Sequence, residues 1–254
     1  MVHIIGAGAG DPELITVKGQ RLLREADVVI YAGSLVNSDL LKNCKADAKI
    51  YNSAEMMLEE ILYIMETAAA EGKNVVRLHT GDPAIYGAIQ EQIEALEDKN
   101  IAYEIVPGVS SFLAAAAALK QEFTIPGITQ TVIITRCGGR TPIPDSESLK
   151  NLAAHKTTIC IFLSVGLIEE VVADLISAGL NMKTPVAIVV RASWADEKII
   201  RGDLENIVAQ VKAAKIERTA MIIVGDCLNA RNIHHEKSKL YSAKFSHMFR
   251  TAID

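Results

Sequence analysis

In the first half of the chain, short apolar runs alternate with longer segments whose apolar residues recur at helical spacing. Runs rich in Val and Ile, typical of buried strands, occupy residues 2–5, 27–31, 74–79 and 102–108. Helical patterns occupy residues 16–26, 55–72, 84–98 and 110–120, the last of them rich in alanine, with Thr16 as the N-cap of the first helix. Strands that alternate with helices predict a mostly parallel sheet covered on both faces.

The alternation breaks near residues 121–129, and we interpret this stretch as a linker between two α/β domains, residues 1–121 and 122–254. Beyond it, strand patterns occupy residues 130–136, 157–165, 184–194, 197–203 and 219–228, and helical patterns occupy residues 167–179 and 204–214. The short spacing between the third and fourth of these strands predicts an antiparallel hairpin. We therefore expect a mixed sheet in the second domain. The polar tail from about residue 229 carries no clear pattern.

Composition narrows the possible functions. The chain has 254 residues, of which half are hydrophobic and 22% are charged, a balance that supports a globular fold with a real core. A net charge of −5 argues against a general nucleic-acid-binding surface. No apolar run approaches the roughly 20 residues of a membrane span, and the first residues lack a basic leader. We therefore expect a cytoplasmic protein that binds neither nucleic acid nor membrane.

The cysteines and histidines give no sign of a metal site. None of the cysteines forms a C-x-x-C pair, and the only close histidines are the adjacent pair at positions 234–235. We predict no metal and interpret the cysteines as free thiols. They are Cys44, Cys137, Cys160 and Cys227.

Four glycine-containing loops follow the predicted strands of the first half. They are GAGAGDPE (6–13), AGSLV (32–36), TGDPAIYGA (80–88) and PGVSS (107–111). In parallel α/β sheets ligands bind beyond the carboxyl ends of the strands, and all four loops fall at that edge. The first loop is not a dinucleotide fingerprint, because Asp11 stands where the third glycine is needed and Pro12 offers no N–H to a phosphate.

Asp82, at the end of the third strand, has two interpretations. It is either the N-cap of the following helix or a carboxylate that faces a ligand. Two acid-containing glycine loops at one edge favour a cationic, hydroxyl-rich ligand. S-adenosylmethionine, which carries a sulfonium, an ammonium and a ribose, has this character.

The second half holds a basic and aromatic cluster that also has two interpretations. It contains Arg136, Arg140, Arg191, Trp194 and Lys198. These residues are either solvated charges beside a packing tryptophan, or guanidinium groups that bind substrate carboxylates with Trp194 as a flat wall.

Several motifs occur in order across residues 2–250 and carry a resemblance. They are IIGAGAGDPELITVKG, YAGSLV, RLHTGDPAIYGA, EIVPGVSS, ITQTVIITR, GRTPIP and MIIVG. Together they resemble the tetrapyrrole methylase family, S-adenosylmethionine enzymes that do not use the usual Rossmann methyltransferase fold. YAGSLV combined with GRTP and WADEKI is similar to the members that methylate carbon 11 of precorrin-4 in cobalamin biosynthesis. One departure is Ala9, where the family's first loop usually has proline.

The resemblance implies two α/β domains with a methyl donor in the cleft between them. The matched motifs place the S-adenosylmethionine contacts at Ala9, Thr80, Gly81, Asp82, Ile85, Ser110, Ser111, Leu163, Ala192 and Ala220. The substrate would be an anionic tetrapyrrole. Its expected contacts are Tyr31, Gly33, Ser34, Leu35, Tyr86, Arg136, Arg140, Trp194 and Lys198. No catalytic residue is identified, and Tyr86 is a candidate general base only by its location.

Some alternatives stay open at this stage. The chain could methylate another ring carbon, or it could bind a corrinoid without catalysis, although the TGDPAIYGA loop argues against a carrier. The motifs do not distinguish a cobalt-containing substrate from a metal-free one. The resemblance also suggests a homodimer.

Overall fold

The structure is a computed structural model that describes residues 1–139, 141–232 and 235–252, with the side chain of Ser34 also left out. Its contacts divide the chain into two compact units. The first contains Met1–Ala115 and Arg191–Lys198, and the second contains Ala116–Val190 and Ile199–Asp254. The sequence-based boundary at residue 121 placed Arg191–Lys198 in the second domain. The structure instead groups this short segment with the first unit.

Five strands form the sheet of the first unit. They are β1 (Val2–Gly6), β2 (Val28–Tyr31), β3 (Lys49–Asn52), β4 (Val75–His79) and β5 (Tyr103–Val106). Their spatial order is β3-β2-β4-β1-β5, and the four pairings are parallel. The predicted parallel sheet is therefore confirmed.

Helices cover both faces of this sheet. They are α1 (Val17–Glu25), α2 (Leu58–Ala70) and α3 (Gln90–Asp98), and α4 (Ser111–Leu119) begins in the same unit. Leu23 of α1 packs on one face with Ile5, whereas Met65 of α2 packs on the other face with Ile4. Thr16 accepts a hydrogen bond from the N–H of Gly19, as expected for the N-cap of α1.

Two elements of the first unit differ from the predicted pattern. Strand β3 was not predicted, because it lies at the edge of the sheet and its residues are largely exposed. Helix α3 begins at Gln90 rather than at residue 84, because Tyr86 and Ala88 have left-handed backbone angles of φ 54° and 49°. Residues in that region cannot continue a right-handed helix.

The second unit contains a mixed sheet, as predicted. Its strands are β6 (Val132–Arg136), β7 (Thr158–Phe162), β8 (Pro185–Val190), β9 (Lys198–Asp203) and β10 (Ala220–Val224). The order is β6-β7-β10-β8-β9, in which β6 and β7 are parallel while β10 is antiparallel to both neighbours. Its helices are α5 (Leu149–Ala153), α6 (Ile168–Ser177) and α7 (Ile207–Ala213). The five-residue α5 was not predicted.

The stretch interpreted as a linker is packed into the second unit. Phe123 and Ile125 are buried, and the Thr158 hydroxyl donates a hydrogen bond to the carbonyl of Phe123 (2.8 Å). Within the described ranges, no helix is long and apolar enough to cross a membrane.

Candidate active site

The loops that follow β1 and β4 are joined backbone to backbone. The N–H of Ala7 donates to the carbonyl of His79 (2.7 Å), and Gly8 and Gly81 exchange two hydrogen bonds of 3.3 and 2.9 Å. The two loops thus form a short antiparallel bridge beyond the carboxyl edge of the parallel sheet. Their positions at this edge follow from the sheet alone, whereas the bridge fixes their conformation.

Glycine is required where the loops after β1, β4 and β5 meet. A Cβ on Gly108 would lie 2.1 Å from the carbonyl oxygen of Gly81, and a Cβ on Gly6 would lie 2.6 Å from the same atom. Gly81 itself has φ 60°, a left-handed angle that glycine adopts readily. The three loops are therefore packed backbone against backbone, with no room for a side chain between them.

Asp82 holds two of these loops together. Its Oδ1 accepts a hydrogen bond from the N–H of Ala84 (2.8 Å), and its Oδ2 accepts one from the N–H of Gly108 (2.9 Å). The side chain is not the N-cap of α3, because that helix starts eight residues later, at Gln90. Each oxygen is thus engaged with protein, and direct contact with a ligand stays a prediction.

The AGSLV loop forms a 3₁₀ turn over Gly33–Leu35. Gly33 has φ 61°, and a Cβ there would lie 2.7 Å from the Cβ of Ala54. The Thr80 hydroxyl donates to the carbonyl of Leu35 (2.7 Å), which ties this loop to the one after β4. Leu35 is 45% exposed, so the turn presents an apolar side chain at the sheet edge. The predicted contact of the Ser34 side chain falls outside the described atoms.

The remaining predicted residues at this edge differ in accessibility. Ser110 is buried, and its carbonyl accepts hydrogen bonds from the N–H groups of Leu113 and Ala114 at the start of α4. Ser111 is the first residue of α4, and Ile85 is half-buried. Tyr86 is 45% exposed, and it also interacts with another group of the protein. Leu35 and Tyr86 are thus the exposed large side chains that these loops offer.

Trp194 packs on the first glycine loop. Its indole Nε1–H donates to the carbonyl of Ala9 (3.0 Å), and a Cβ on Gly10 would lie 2.1 Å from the indole ring. The Ser193 hydroxyl accepts a hydrogen bond from the N–H of Asp11 (3.1 Å). The interpretation of Trp194 as a packing residue is therefore the one that its contacts support.

The segment that carries Trp194 is held by local charge contacts. The Arg191 guanidinium lies 3.9 Å from the centre of the indole ring, and its Nε–H donates to Asp196 (2.7 Å). Ala192 is buried at 5% exposure, whereas Lys198 is exposed at the start of β9. Sequence reasoning proposed substrate contacts here and missed the contacts to Ala9 and Asp11.

Beneath the loop edge, β4 carries two buried basic side chains that sequence reasoning missed. Arg77 is 5% exposed, and burial lowers its pKa to about 10. His79 is 4% exposed, and burial together with the nearby Arg77 charge lowers its pKa to about 3. Its Nε2 has no hydrogen-bond partner within the part of the chain that the structure describes. The signal was available, because a charged residue interrupts the apolar run VVRLH.

The second unit holds the other predicted residues. Leu163, directly after β7, has φ 55° and is 73% exposed, and Ala220 begins β10 half-buried. The Arg136 guanidinium donates to three backbone carbonyls of its own loop, at 3.0 to 3.3 Å. Arg136 therefore stabilises the loop that follows β6. Arg140 lies outside the described residues. No group of His, Cys, Asp or Glu side chains in the described ranges is arranged to hold a metal ion.

Comparison with known families decides between the classes of protein left open. Residues 1–208 match the family model for tetrapyrrole (corrin/porphyrin) methylases. The chain belongs to this family. A cobalt-precorrin-4 C(11)-methyltransferase from Methanocaldococcus jannaschii is 56% identical over 249 residues, which cover 98% of this chain and 95% of the relative.

Solved structures of the methylase family have the same fold. The X-ray structure of a cobalt-precorrin-4 methyltransferase of cobalamin biosynthesis has a TM-score of 0.88 and 51% identity, covering 89% of this chain and 95% of its own. A uroporphyrin-III C-methyltransferase from Thermus thermophilus, solved with bound S-adenosylhomocysteine, has a TM-score of 0.73 and 30% identity, covering 89% and 92%. The expected non-Rossmann methylase fold is thereby confirmed.

Proposed function

We propose that this chain transfers a methyl group from S-adenosylmethionine to carbon 11 of cobalt-precorrin-4. The observation that carries the proposal is identity of 56% over 98% of the chain with a relative of that name. A solved enzyme whose name also specifies the cobalt-containing substrate shares 51% of its residues with the chain. The metal-free substrate, precorrin-4, is the alternative.

The glycine loops of the first unit fit a methyl donor with a ribose and an amino-acid arm. The close approach of Gly6, Gly81 and Gly108 joins the loops that follow three parallel strands, and ligands of parallel α/β sheets bind beyond that edge. We propose that Thr80, Gly81 and Ser110 contact the donor, while Asp82 holds the loops in place. S-adenosylmethionine would supply a methyl group already activated on a sulfonium. The contacts predicted at Ala9, Ile85, Ser111, Leu163, Ala192 and Ala220 stay predictions.

The exposed side chains at the same edge fit a flat, apolar ring. We propose that Leu35 and Tyr86 pack against the tetrapyrrole, and that they orient the reacting carbon. Methyl transfer from a sulfonium to an electron-rich ring carbon is a direct displacement and needs no covalent intermediate on the enzyme. Most of the rate acceleration can then come from holding the two reactants about 3–3.5 Å apart and in line.

The proposal is tested first by calorimetric titration with S-adenosylhomocysteine. Micromolar binding is expected, and absence of binding would favour a corrinoid carrier. The second step is turnover of cobalt-precorrin-4 and precorrin-4, with the methylated carbon located by NMR. Methylation of another ring position would replace the C11 assignment while leaving the family activity intact.

The role of Leu35 is tested by Leu35→Glu, with Ile176→Glu as the control. Ile176 is 37% exposed and lies in α6, in the second unit. Leu35→Glu should raise KM for the tetrapyrrole and leave S-adenosylhomocysteine affinity near the wild-type value. Equal loss of both would show that the turn is only structural.

We also propose, from the family resemblance, that the enzyme is a cytoplasmic homodimer. Light scattering of the purified protein measures the oligomeric state directly, and a mass near the 27.5 kDa of one chain would refute the dimer.

A further inference from the structure

A buried chain of polar groups leads from the middle of the sheet to the loop that carries Tyr86. The Arg77 Nε–H donates to Gln92 Oε1 (3.1 Å), and the Gln92 Nε2 donates to the carbonyl of Ala88 (2.8 Å). A second Arg77 nitrogen, Nη1, donates to the carbonyl of Ile30 in β2 (3.2 Å). Arg77 and Gln92 are 5% and 3% exposed, so these contacts are shielded from water.

The segment at the end of this chain has a strained backbone. Tyr86 and Ala88 both have left-handed φ angles, which disfavour residues with a Cβ. Between them, a Cβ on Gly87 would lie 2.0 Å from the carbonyl oxygen of Pro83, so the turn is closed tightly on itself. Strained backbone persists only where surrounding contacts hold it, and such strain is concentrated at functional sites.

We propose that Arg77 and Gln92 are positioning residues: they fix the Ala88 carbonyl and so keep Tyr86 in the conformation that receives the tetrapyrrole. This inference rests on the proposed function and adds two buried residues to the substrate side of the site. Neither residue touches the substrate. They act through the backbone of the Tyr86 loop.

A single substitution at Gln92 can remove one of its two hydrogen bonds and keep the other. Its amide oxygen accepts from Arg77 and its amide nitrogen donates to Ala88, so both ends are used. Among the described residues, Arg77 has no carboxylate partner within ion-pair distance. A glutamate at position 92 would therefore still serve Arg77, with a stronger charge-assisted hydrogen bond, but could not donate to Ala88.

The experiment compares Gln92→Glu with Gln90→Glu in the full-length protein. Gln90 is an exposed residue two positions earlier on α3, so the control makes the same chemical change outside the buried chain. For Gln92→Glu we expect kcat/KM for cobalt-precorrin-4 to fall roughly five- to thirtyfold. This is the factor by which the population of the correct loop conformation falls when one left-handed residue is free to return to a relaxed backbone angle. We expect S-adenosylhomocysteine affinity to stay within about twofold, because Gln92 bonds to Ala88, seven residues beyond the donor contact proposed at Gly81.

A rescue variant tests whether the backbone conformation is the cause. Glycine adopts left-handed angles without a Cβ penalty, so adding Ala88→Gly to Gln92→Glu should restore most of the lost kcat/KM. If Gln92→Glu does not fold, Gln92→Met removes the donor while keeping the side-chain length, and the same comparison applies.

Three outcomes decide the proposal. A selective rise in KM for the tetrapyrrole with recovery by Ala88→Gly supports it. Wild-type kinetics in Gln92→Glu overturn it. A proportional loss of melting temperature, donor affinity and turnover without rescue also overturns it, because the residues would then be merely structural. A wild-type protein that binds no S-adenosylhomocysteine and methylates nothing would instead refute the proposed function.

Discussion

Replacing His79 should reduce the loss of stability that this protein undergoes in acid. The imidazole is 4% exposed, and burial together with the charge of Arg77 lowers its pKa to about 3. In the unfolded chain the same group has its ordinary pKa of about 6.5. Between these two values the unfolded chain binds a proton that the folded protein does not bind, so stability falls as the pH falls.

The size of the effect follows from the two pKa values. At pH 5 the unfolded state gains about 2 kcal/mol from protonation of this one group, and the difference rises to its full value of about 5 kcal/mol below pH 3. Above about pH 6.5 both states are neutral at this position, and His79 adds no pH dependence. The loss is therefore confined to the range between pH 6.5 and pH 3.

The assay is urea denaturation of the wild type and His79→Gln at pH 7.5, 6 and 5. The wild type should lose about 2 kcal/mol more than the variant between the first and last of these values, because other groups titrate alike in both proteins. His155→Gln, which removes an exposed imidazole, is the control and should follow the wild type. Equal loss in the wild type and His79→Gln would refute the claim that His79 is held neutral by burial.

Three further changes test the packing of the loops and the state of the thiols. Gly108→Ala should destabilise the protein by about 3 kcal/mol in denaturation, because its Cβ would meet a carbonyl oxygen at 2.1 Å, whereas Gly138→Ala, with 3.5 Å of clearance, should have little effect. Trp194→Phe should lower the free energy of unfolding by about 1 kcal/mol, measured by denaturation followed with circular dichroism, since it removes the hydrogen bond to Ala9. Burial raises the pKa of all four thiols, but Cys44 is half-buried whereas the other three are buried. Cys44 should therefore be the first thiol to react with a disulfide reagent, and Cys44→Ser should abolish the reaction of the native protein.

The parallel sheet and its four loops could be predicted because their signals are local. Strands such as β1 and β4 are short runs of mainly apolar residues, and the glycine loops follow them directly. The edge strand β3 gave no such signal, since three of its four residues are exposed and no alternation marks them. The early part of α3 failed for a different reason. Apolar spacing predicts a helix, but it does not register that Tyr86 and Ala88 adopt left-handed angles.

The contacts of the candidate site were harder to predict because they join distant parts of the chain. The hydrogen bond from Trp194 to Ala9 spans 185 positions, and no local pattern distinguishes it from an exposed aromatic. Sequence reasoning left the packing and substrate-binding interpretations of Trp194 open, and only its contact with Ala9 in the structure favours the packing interpretation. Arg136 is similar, because its carbonyl partners lie within six residues but depend on how the loop after β6 turns back.

The polar side chains that first suggested ligand recognition are mostly engaged with the protein. Asp82 accepts two backbone hydrogen bonds, Arg136 donates to three carbonyls, and the Trp194 indole N–H is bound to Ala9. Substitution of Asp82 should therefore disturb donor and tetrapyrrole binding together, because the loops after β4 and β5 would separate. Substitution of the exposed Leu35 should disturb the tetrapyrrole alone. Comparing the two variants therefore distinguishes residues that hold the loops together from residues that contact the tetrapyrrole.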